Sequence, residues 1–539
     1  MKEKLLLLIV AFIAISTLSA QGPTAALVPM PNSIETHPNK KTFKLNKRSA
    51  IQTTLAHNSH TIKELQRAIE EQCHISIPTA QKGNIILSID TTLSSTEHYT
   101  IEINAHKIAI KGASETALLR ATQTIEQILI GDYVNSAKQE ICCLTIDDKP
   151  RYNHRAIMLD PARHFIPVQD VKFFIDQIAK YKYNILQLHL TDDQGWRVEI
   201  KSHPQLTTKG AFRNNKEGAQ GPDNGYYTQE ELKEIVKYAA ERGIEIIPEL
   251  DIPGHSVAFL TAYPETGCAF RQSEPKTLGS TTNMMLCACS ETAYTIYADV
   301  FREIAEIFPS EYIHLGGDEA AIKENWAKCE NCLALMKEMG YNKPEELMNI
   351  FFNKMLNMVR HNGKKPILWC ELDNIYPPAN DYLFPYPADV TLVTWRNALT
   401  PKCIELTHKH GHTLIMAPGE HAYLDYPQYH GDLPEWDNWG MPVTTLEKCY
   451  TLDPGYGLPT DEQAHITGIM GTLWGEAIRD INRVTYMAFP RALALAEAGW
   501  TEMPQRSWES FKQRILPNLT DLMKNGVSFR VPFEIMHNR

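Results

Sequence analysis

From residue 150 onward the chain alternates two apolar patterns. Short runs of consecutive apolar residues occupy 155–159, 184–190, 244–250, 312–315, 366–369, 390–395, 413–417 and 467–474. Runs that are continuous rather than alternating predict strands buried on both faces, as in a parallel sheet. Between them lie stretches whose apolar residues recur every three or four positions. These predict helices over 168–182, 228–242, 292–308, 345–362 and 401–411. About eight buried strands alternating with helices across 151–505 predict a (β/α)8 TIM barrel of the α/β class. Long inserts at 197–227, 253–291 and 418–463 follow strands two, three and seven. Loops of that length on one end of a barrel shape a substrate site.

Residues 21–150 read differently. Ile85–Ile89 predicts a strand, and Tyr99–Ile103 with 107–111 predicts a hairpin turning at Asn104-Ala105-His106. Helical spacing at 65–69 and 117–130 completes a small N-terminal α+β domain. Ahead of it, Lys2 and Lys4 precede an unbroken apolar run, residues 5–15, and then Ser16-Thr17-Leu18-Ser19-Ala20. A membrane-spanning helix needs about 20 apolar residues, so 1–20 reads as a signal peptide and not as a membrane span. It predicts an exported protein, periplasmic or secreted. Residues 506–539 predict a C-terminal tail, a helix and an extended end, packing on the barrel.

Composition narrows the function classes. A net charge of −11 without a long Lys/Arg run argues against nucleic-acid or anionic-membrane partners. Oligomeric state is not written in the sequence. The eleven cysteines of an exported chain allow disulfides. Cys329-x-x-Cys332 and Cys287-x-Cys289 are close pairs, but no second Cys-x-x-Cys or His-x-x-x-His completes a zinc set along the chain. No metal and no cofactor is therefore expected, and the cysteines read as local disulfides or buried thiols.

The chemistry lies at the strand ends. Strand four runs Tyr312-Ile313-His314-Leu315 into Gly316-Gly317-Asp318-Glu319, two glycines that permit close approach followed by two adjacent carboxylates. The other ends supply Asp160 and Arg163, then Asp192, then Glu249, Asp251 and His255. Trp369, Glu371 and Asp373 follow, then Trp395 and Arg396, then Tyr423 and Asp425, and last Trp474 and Glu476. Taken singly, each suits a surface ion pair, a packed ring or a loop. Together on one face they suit a sugar, with aromatic rings for its apolar faces and charged groups for its hydroxyls. Glycoside cleavage requires a carboxylic acid that protonates the leaving oxygen.

Four segments carry a resemblance: His314-x-Gly-Gly-Asp-Glu319, His189-Leu-Thr-Asp-Asp-Gln-Gly-Trp-Arg197, Leu159-Asp-x-Ala-Arg-His-Phe165 and Trp474-x-Glu476. They resemble glycoside hydrolase family 20, the exo-acting retaining β-N-acetylhexosaminidases, over about residues 21–505. The resemblance implies hydrolysis of terminal β-linked N-acetylglucosamine or N-acetylgalactosamine from a glycan substrate. It implies Glu319 as general acid/base and Asp318 as the group that holds the substrate's 2-acetamido N–H. The acetamido oxygen itself would attack, giving an oxazolinium intermediate, with Tyr423 donating to that oxygen. Trp369, Trp395 and Trp474 would wall the pocket. Arg163, Asp425 and Glu476 would hold the outer hydroxyls, and Asp192 and His255 would support Glu319. Strand five reads Trp-Cys-Glu where the family often has Trp-Asp-Glu, so Glu371 carries over only as a pocket residue. Relatives specialised for a disaccharide or a sulfated sugar lie within the same resemblance. Two other readings compete: a metal-dependent barrel hydrolase built on His189, Asp192, His255, His314 and Asp318, and a silent glycan-binding protein.

Overall fold

A computed structural model describes residues 24–37, 40–133, 140–213, 223–273, 283–372, 381–430, 441–459 and 462–536. The expected signal peptide and Asp373 lie outside these residues. The chain divides into two units, Met1–Lys149 with Glu509–Asp521, and Pro150–Trp508 with Leu522–Arg539.

The first unit holds a six-stranded sheet. Its order is Ser33–Thr36, Leu144–Asp148, Tyr99–Ile103, Ile108–Gly112, Ile85–Ile89 and Ile51–Thr53. The helices His60–Cys73 and Glu115–Tyr133 pack on each other, and the second also packs on the sheet. The hairpin forms as expected, with Tyr99 opposite Gly112 and Ile103 opposite Ile108. The tail does not belong wholly to the barrel, and here the structure corrects the expectation. Helix Trp508–Lys524 gives its Glu509–Asp521 portion to the small unit. Polar side chains anchor it there. Asn518 Nδ2 donates to Ala26 O at 2.8 Å, and Arg514 donates to Leu27 O.

The second unit is a closed parallel barrel of eight strands. In chain order these are His154–Leu159, Ile185–His189, Glu245–Glu249, Tyr312–His314, Lys365–Trp369, Thr391–Thr394, Leu414–Met416 and Ile466–Leu473. They are called barrel strands one to eight below. Strand eight closes on strand one in register from Gly468↔His154 to Leu473↔Leu159. The observed bounds fall within a residue of the runs read from sequence, because each strand is buried along nearly its whole length. The barrel interior is filled by Ala156, Met158, Ile185, Ile247, Ile367, Val393, Ile415 and Met470. Trp369 belongs to this cluster, and Trp395 and Trp474 pack against it. The packed core therefore ends upward in aromatic rings.

Surrounding helices start where the sequence sets caps. Helix Gln229–Glu241 begins at Thr228, whose hydroxyl accepts from Glu231 N–H while the Glu231 side chain accepts from Thr228 N–H. Among the described residues, no helix is long and apolar enough to cross a membrane.

Candidate active site

Strand four ends in an unusual backbone. Gly316 and Gly317 have φ of +64° and +98°, and Glu319 has φ of +48°. A Cβ on Gly316 would stand 1.8 Å from Asp251 Oδ1, so no side chain fits there. That same oxygen accepts from Gly317 N–H at 3.1 Å. The glycines thus let a neighbouring carboxylate hold the turn from which Asp318 and Glu319 project. A left-handed, non-glycine Glu319 is a cost that the surrounding structure must enforce.

The two acids then face different surroundings. Asp318 is buried, whereas the Glu319 side chain is 51% exposed. Asp318 Oδ1 is buried with no hydrogen-bond partner, and its Oδ2 lies 3.8 Å from His255 Nε2. Burial raises the Asp318 pKa, His255 pulls it down, and the Glu319 charge raises it again. Glu319 Oε2 lies 3.8 Å from His255 Nε2, and Glu319 Oε1 accepts from Arg396 Nη2 at 3.3 Å.

His255 is the hinge between this pair and the barrel floor. Its Nδ1 lies 3.2 Å from Asp192 Oδ1. Burial disfavours its charge, but Asp192, Asp251 and Asp318 together hold the imidazolium well above its ordinary range. Asp192 in turn faces Arg163 Nη2 at 2.9 Å and His189 Nε2 at 2.8 Å. Burial alone would raise its pKa. Arg163 and His255 outweigh that and keep it well below the carboxylate range. Arg163 also donates to Asp160 Oδ2 at 3.0 Å and reaches Glu476 Oε1 at 3.7 Å. Asp160 Oδ2 accepts from Gly475 N–H at 2.8 Å, which fixes the end of strand eight against the end of strand one. A chain of charges therefore runs from Glu476 through Arg163, Asp192 and His255 to the Asp318-Glu319 pair.

Aromatic rings form the opposite wall. The Trp369 and Trp474 ring centres are 5.7 Å apart, and the Arg163 guanidinium lies 5.0 Å over the Trp474 ring. The Arg396 guanidinium lies 3.7 Å over the Trp395 ring. Tyr423 follows the short helix Gly419–Ala422 and is bridged to Thr472 of strand eight. Burial pushes its phenol well above the ordinary range, and its ring centre lies 6.4 Å from that of Trp474. A phenol held neutral remains an O–H donor. Asp425 accepts from Trp474 N–H at 3.4 Å, and burial together with the Glu476 charge raises its pKa. Enclosure raises Glu476 likewise, against the pull of Arg163.

The structure thus brings Asp318, Glu319, Tyr423, Arg163, Asp192, His255, Trp369, Trp395, Asp425, Trp474 and Glu476 to one mouth. Four further residues belong there, although the strand ends alone give three of them no role and Glu371 only a weak one. Asp251 holds the glycine turn, and Arg396 contacts Glu319. Glu371 has one carboxylate oxygen buried without a partner, and burial pushes it up to about 8. Glu249, fully buried, accepts from Gln187 Nε2 at 2.8 Å and Trp369 Nε1 at 2.9 Å and lies 3.0 Å from His189 Nδ1. Their neighbours come from other strands, so chain position carries no signal beyond the strand end itself.

The competing metal reading draws on His189, Asp192, His255, His314 and Asp318. Some of these groups do lie close enough to share an ion. Yet the Arg163 guanidinium already occupies Asp192, and two imidazoles share these carboxylates. A divalent ion there would sit against resident positive charge. The arrangement fits a neutral polar ligand with N–H and O–H groups to offer.

Comparison with known proteins agrees. The model for the catalytic domain of glycosyl hydrolase family 20 matches residues 152–503, and that for domain 2 of the same family matches residues 24–149. A beta-hexosaminidase of Akkermansia muciniphila is 39% identical over 442 residues, covering 80% of this chain and 86% of that protein. The exo beta-N-acetylglucosaminidase of Vibrio harveyi, solved in complex with N-acetylglucosamine, superposes with a TM-score of 0.81 at 29% identity. It covers 96% of this chain and 80% of its own. A mutant Streptomyces plicatus beta-hexosaminidase in complex with product (GlcNAc) gives a TM-score of 0.79 at 28% identity, covering 96% and 98% of the two chains. With the barrel, the paired acids and both family models in agreement, the chain is a glycoside hydrolase and belongs to glycosyl hydrolase family 20.

Proposed function

We propose that the enzyme is an exo-acting, retaining β-N-acetylhexosaminidase that removes terminal β-linked N-acetylglucosamine or N-acetylgalactosamine with the substrate's own acetamido group as nucleophile. The observation that carries this reading is the contrast within the acid pair. Asp318 offers a buried carboxylate oxygen that no protein group satisfies, beside an exposed Glu319. A buried acceptor left open calls for a donor, and the 2-acetamido N–H is such a donor.

In the first step Glu319 gives its proton to the glycosidic oxygen as the bond to the anomeric carbon breaks. The acetamido oxygen closes onto that carbon from the other face, and an oxazolinium forms. Positive charge spreads onto the amide nitrogen, so an ionised Asp318 binds the transition state more tightly than the ground state. The Tyr423 hydroxyl donates to the acetamido oxygen and aligns it for attack. In the second step Glu319 takes a proton from water, which opens the ring with net retention. This is the substrate-assisted exception to the two-carboxylate scheme. Trp369, Trp395 and Trp474 enclose the N-acetyl group and ring. Arg163, Asp425 and Glu476 hold the outer hydroxyls and so select a chain end. The apolar segment at residues 1–20 supports export to the periplasm or medium.

Asp318→Asn tests the assignment. An amide cannot carry the charge that balances the oxazolinium, so kcat should fall by about 10²-fold or more, in the range of a lost electrostatic stabiliser. A thiazoline mimic of the cyclic intermediate should inhibit the wild type and bind the variant poorly. Wild-type activity in Asp318→Asn, or no binding of the mimic, would overturn the mechanism.

A further inference from the structure

Beside the acid-bearing loop the fold gathers five sulfurs that the glycosidase chemistry does not use. Cys268, Cys287, Cys329 and Cys332 are all buried, and their four Sγ atoms lie within 4.8 Å of one another. Cys287 Sγ is 3.4 Å from Cys332 Sγ, and Cys289 Sγ is 3.8 Å from the same atom. No disulfide joins any of the five. Four thiolates bound to one zinc ion at about 2.3 Å stand about 3.8 Å apart, the edge of a tetrahedron; the four sulfurs, 3.4 Å apart at Cys287 and Cys332 and all within 4.8 Å of one another, need only small shifts to meet that geometry.

The sulfurs come from two loops at the catalytic mouth. Cys268 follows the turn Pro264–Thr266 in the insert after barrel strand three. Cys287 N–H donates to Thr266 O at 2.9 Å beside the Gly267↔Leu286 bridge, which brings two residues distant in sequence together. Cys329 is the N-cap of helix Glu330–Glu338 and Cys332 lies in its first turn. The N-terminus of a helix favours thiolate over thiol. The scaffold is tied independently of any sulfur. Trp326 Nε1 donates to Leu286 O at 2.8 Å and Asn325 Nδ2 to Asn283 O at 2.7 Å.

We propose that Cys268, Cys287, Cys329 and Cys332 bind one zinc ion as a closed four-thiolate structural site. The site clamps the loop that follows Asp318 and Glu319 to the insert after barrel strand three. Soft thiolate donors in a tetrahedron select zinc, and with all four positions filled by protein no position is left for water or substrate. Binding releases the thiol protons, forms four Zn–S bonds and changes no oxidation state. Cys289 stays outside as a half-buried thiol. Only Cys329-x-x-Cys332 has a zinc-like spacing along the chain; the fold supplies the other two ligands.

The test is metal and thiol analysis of the full chain, exported by its own N-terminal segment and purified without added metal. The expected result is one zinc per chain. A mercurial thiol reagent should release it, and X-ray absorption should show four sulfurs at about 2.3 Å. Cys289→Ser should keep the zinc and Cys332→Ser should lose it. If Cys332→Ser does not fold, the wild-type metal and thiol counts still decide. A metal-free chain overturns the site, whether its four sulfurs are blocked until reduction, as two disulfides, or all react freely. The readout needs no turnover, so it stands apart from the hexosaminidase assignment.

Discussion

Glu249 and Asp318 are both buried carboxylates at the top of the same barrel, and they are treated in opposite ways. Glu249 accepts from Gln187 and Trp369 and lies against His189 and His314 at 3.0 and 3.2 Å. Burial would raise its pKa, but the two histidines hold it well below the carboxylate range. Asp318 keeps one oxygen with no partner at all. The Glu249 carboxylate is matched on both oxygens, whereas the Asp318 carboxylate is left half open. A saturated buried carboxylate fixes geometry, whereas an unsatisfied one is reserved for a ligand. The division sorts this site into a floor of Glu249, Asp192 and Asp160 and a working lip of Asp318, Glu319 and Glu371.

Exchanging Asp318 or Glu319 should act on rate, and exchanging a floor acid should act on stability. The largest effect expected is from Glu319→Gln, which removes the proposed proton donor. On substrates with poor leaving groups kcat/KM should fall by about 10²–10⁴-fold, the usual worth of general acid/base catalysis. Aryl glycosides that need less protonation should lose less, and the melting temperature should barely move. Equal losses on both substrate types would place Glu319 outside the proton transfer. Glu249→Gln should do the reverse. Breaking a buried charge set costs about 3–5 kcal/mol, so chemical denaturation should show a loss of that order while the folded fraction keeps its KM. A large kcat defect without a stability loss would move Glu249 from the floor to the lip.

Glu371 gives the most specific test. Its carboxyl is pushed by burial from an ordinary 4.5 up to about 8, and Arg396 only partly opposes this. The folded chain thus retains a proton that the unfolded chain releases above about pH 4.5. Stability should therefore decline as pH rises from about 4.5 toward about 8. Glu371→Gln carries no such proton, so its melting temperature should decline less over that range. Parallel curves would show Glu371 ionised in the folded enzyme.

Much of this is legible in the sequence. Strands buried on both faces write themselves as apolar runs, so the barrel strands can be placed within a residue. The edge strand Ser33–Thr36 escapes because it is short, polar and largely exposed. The tail helix is misassigned from sequence because its anchors, Asn518 and Arg514, are polar and bind backbone carbonyls, a partnership that apolar spacing does not encode. Asp318, Glu319 and the tryptophans are found through their strand ends. The roles of Glu249, Asp251 and Arg396 are not, because each depends on which neighbour the barrel brings near. The four-cysteine cluster escapes for the same reason.

The most direct measurement compares two substrates that differ only at position two of the terminal sugar, an acetamido group against a hydroxyl, with the same leaving group. If Asp318 is kept open for the amide and the amide is the nucleophile, the acetamido substrate should be hydrolysed and the hydroxyl substrate left essentially untouched, even where both bind. Comparable kcat values on the pair would contradict the account, since the open carboxylate would then have no amide to steer.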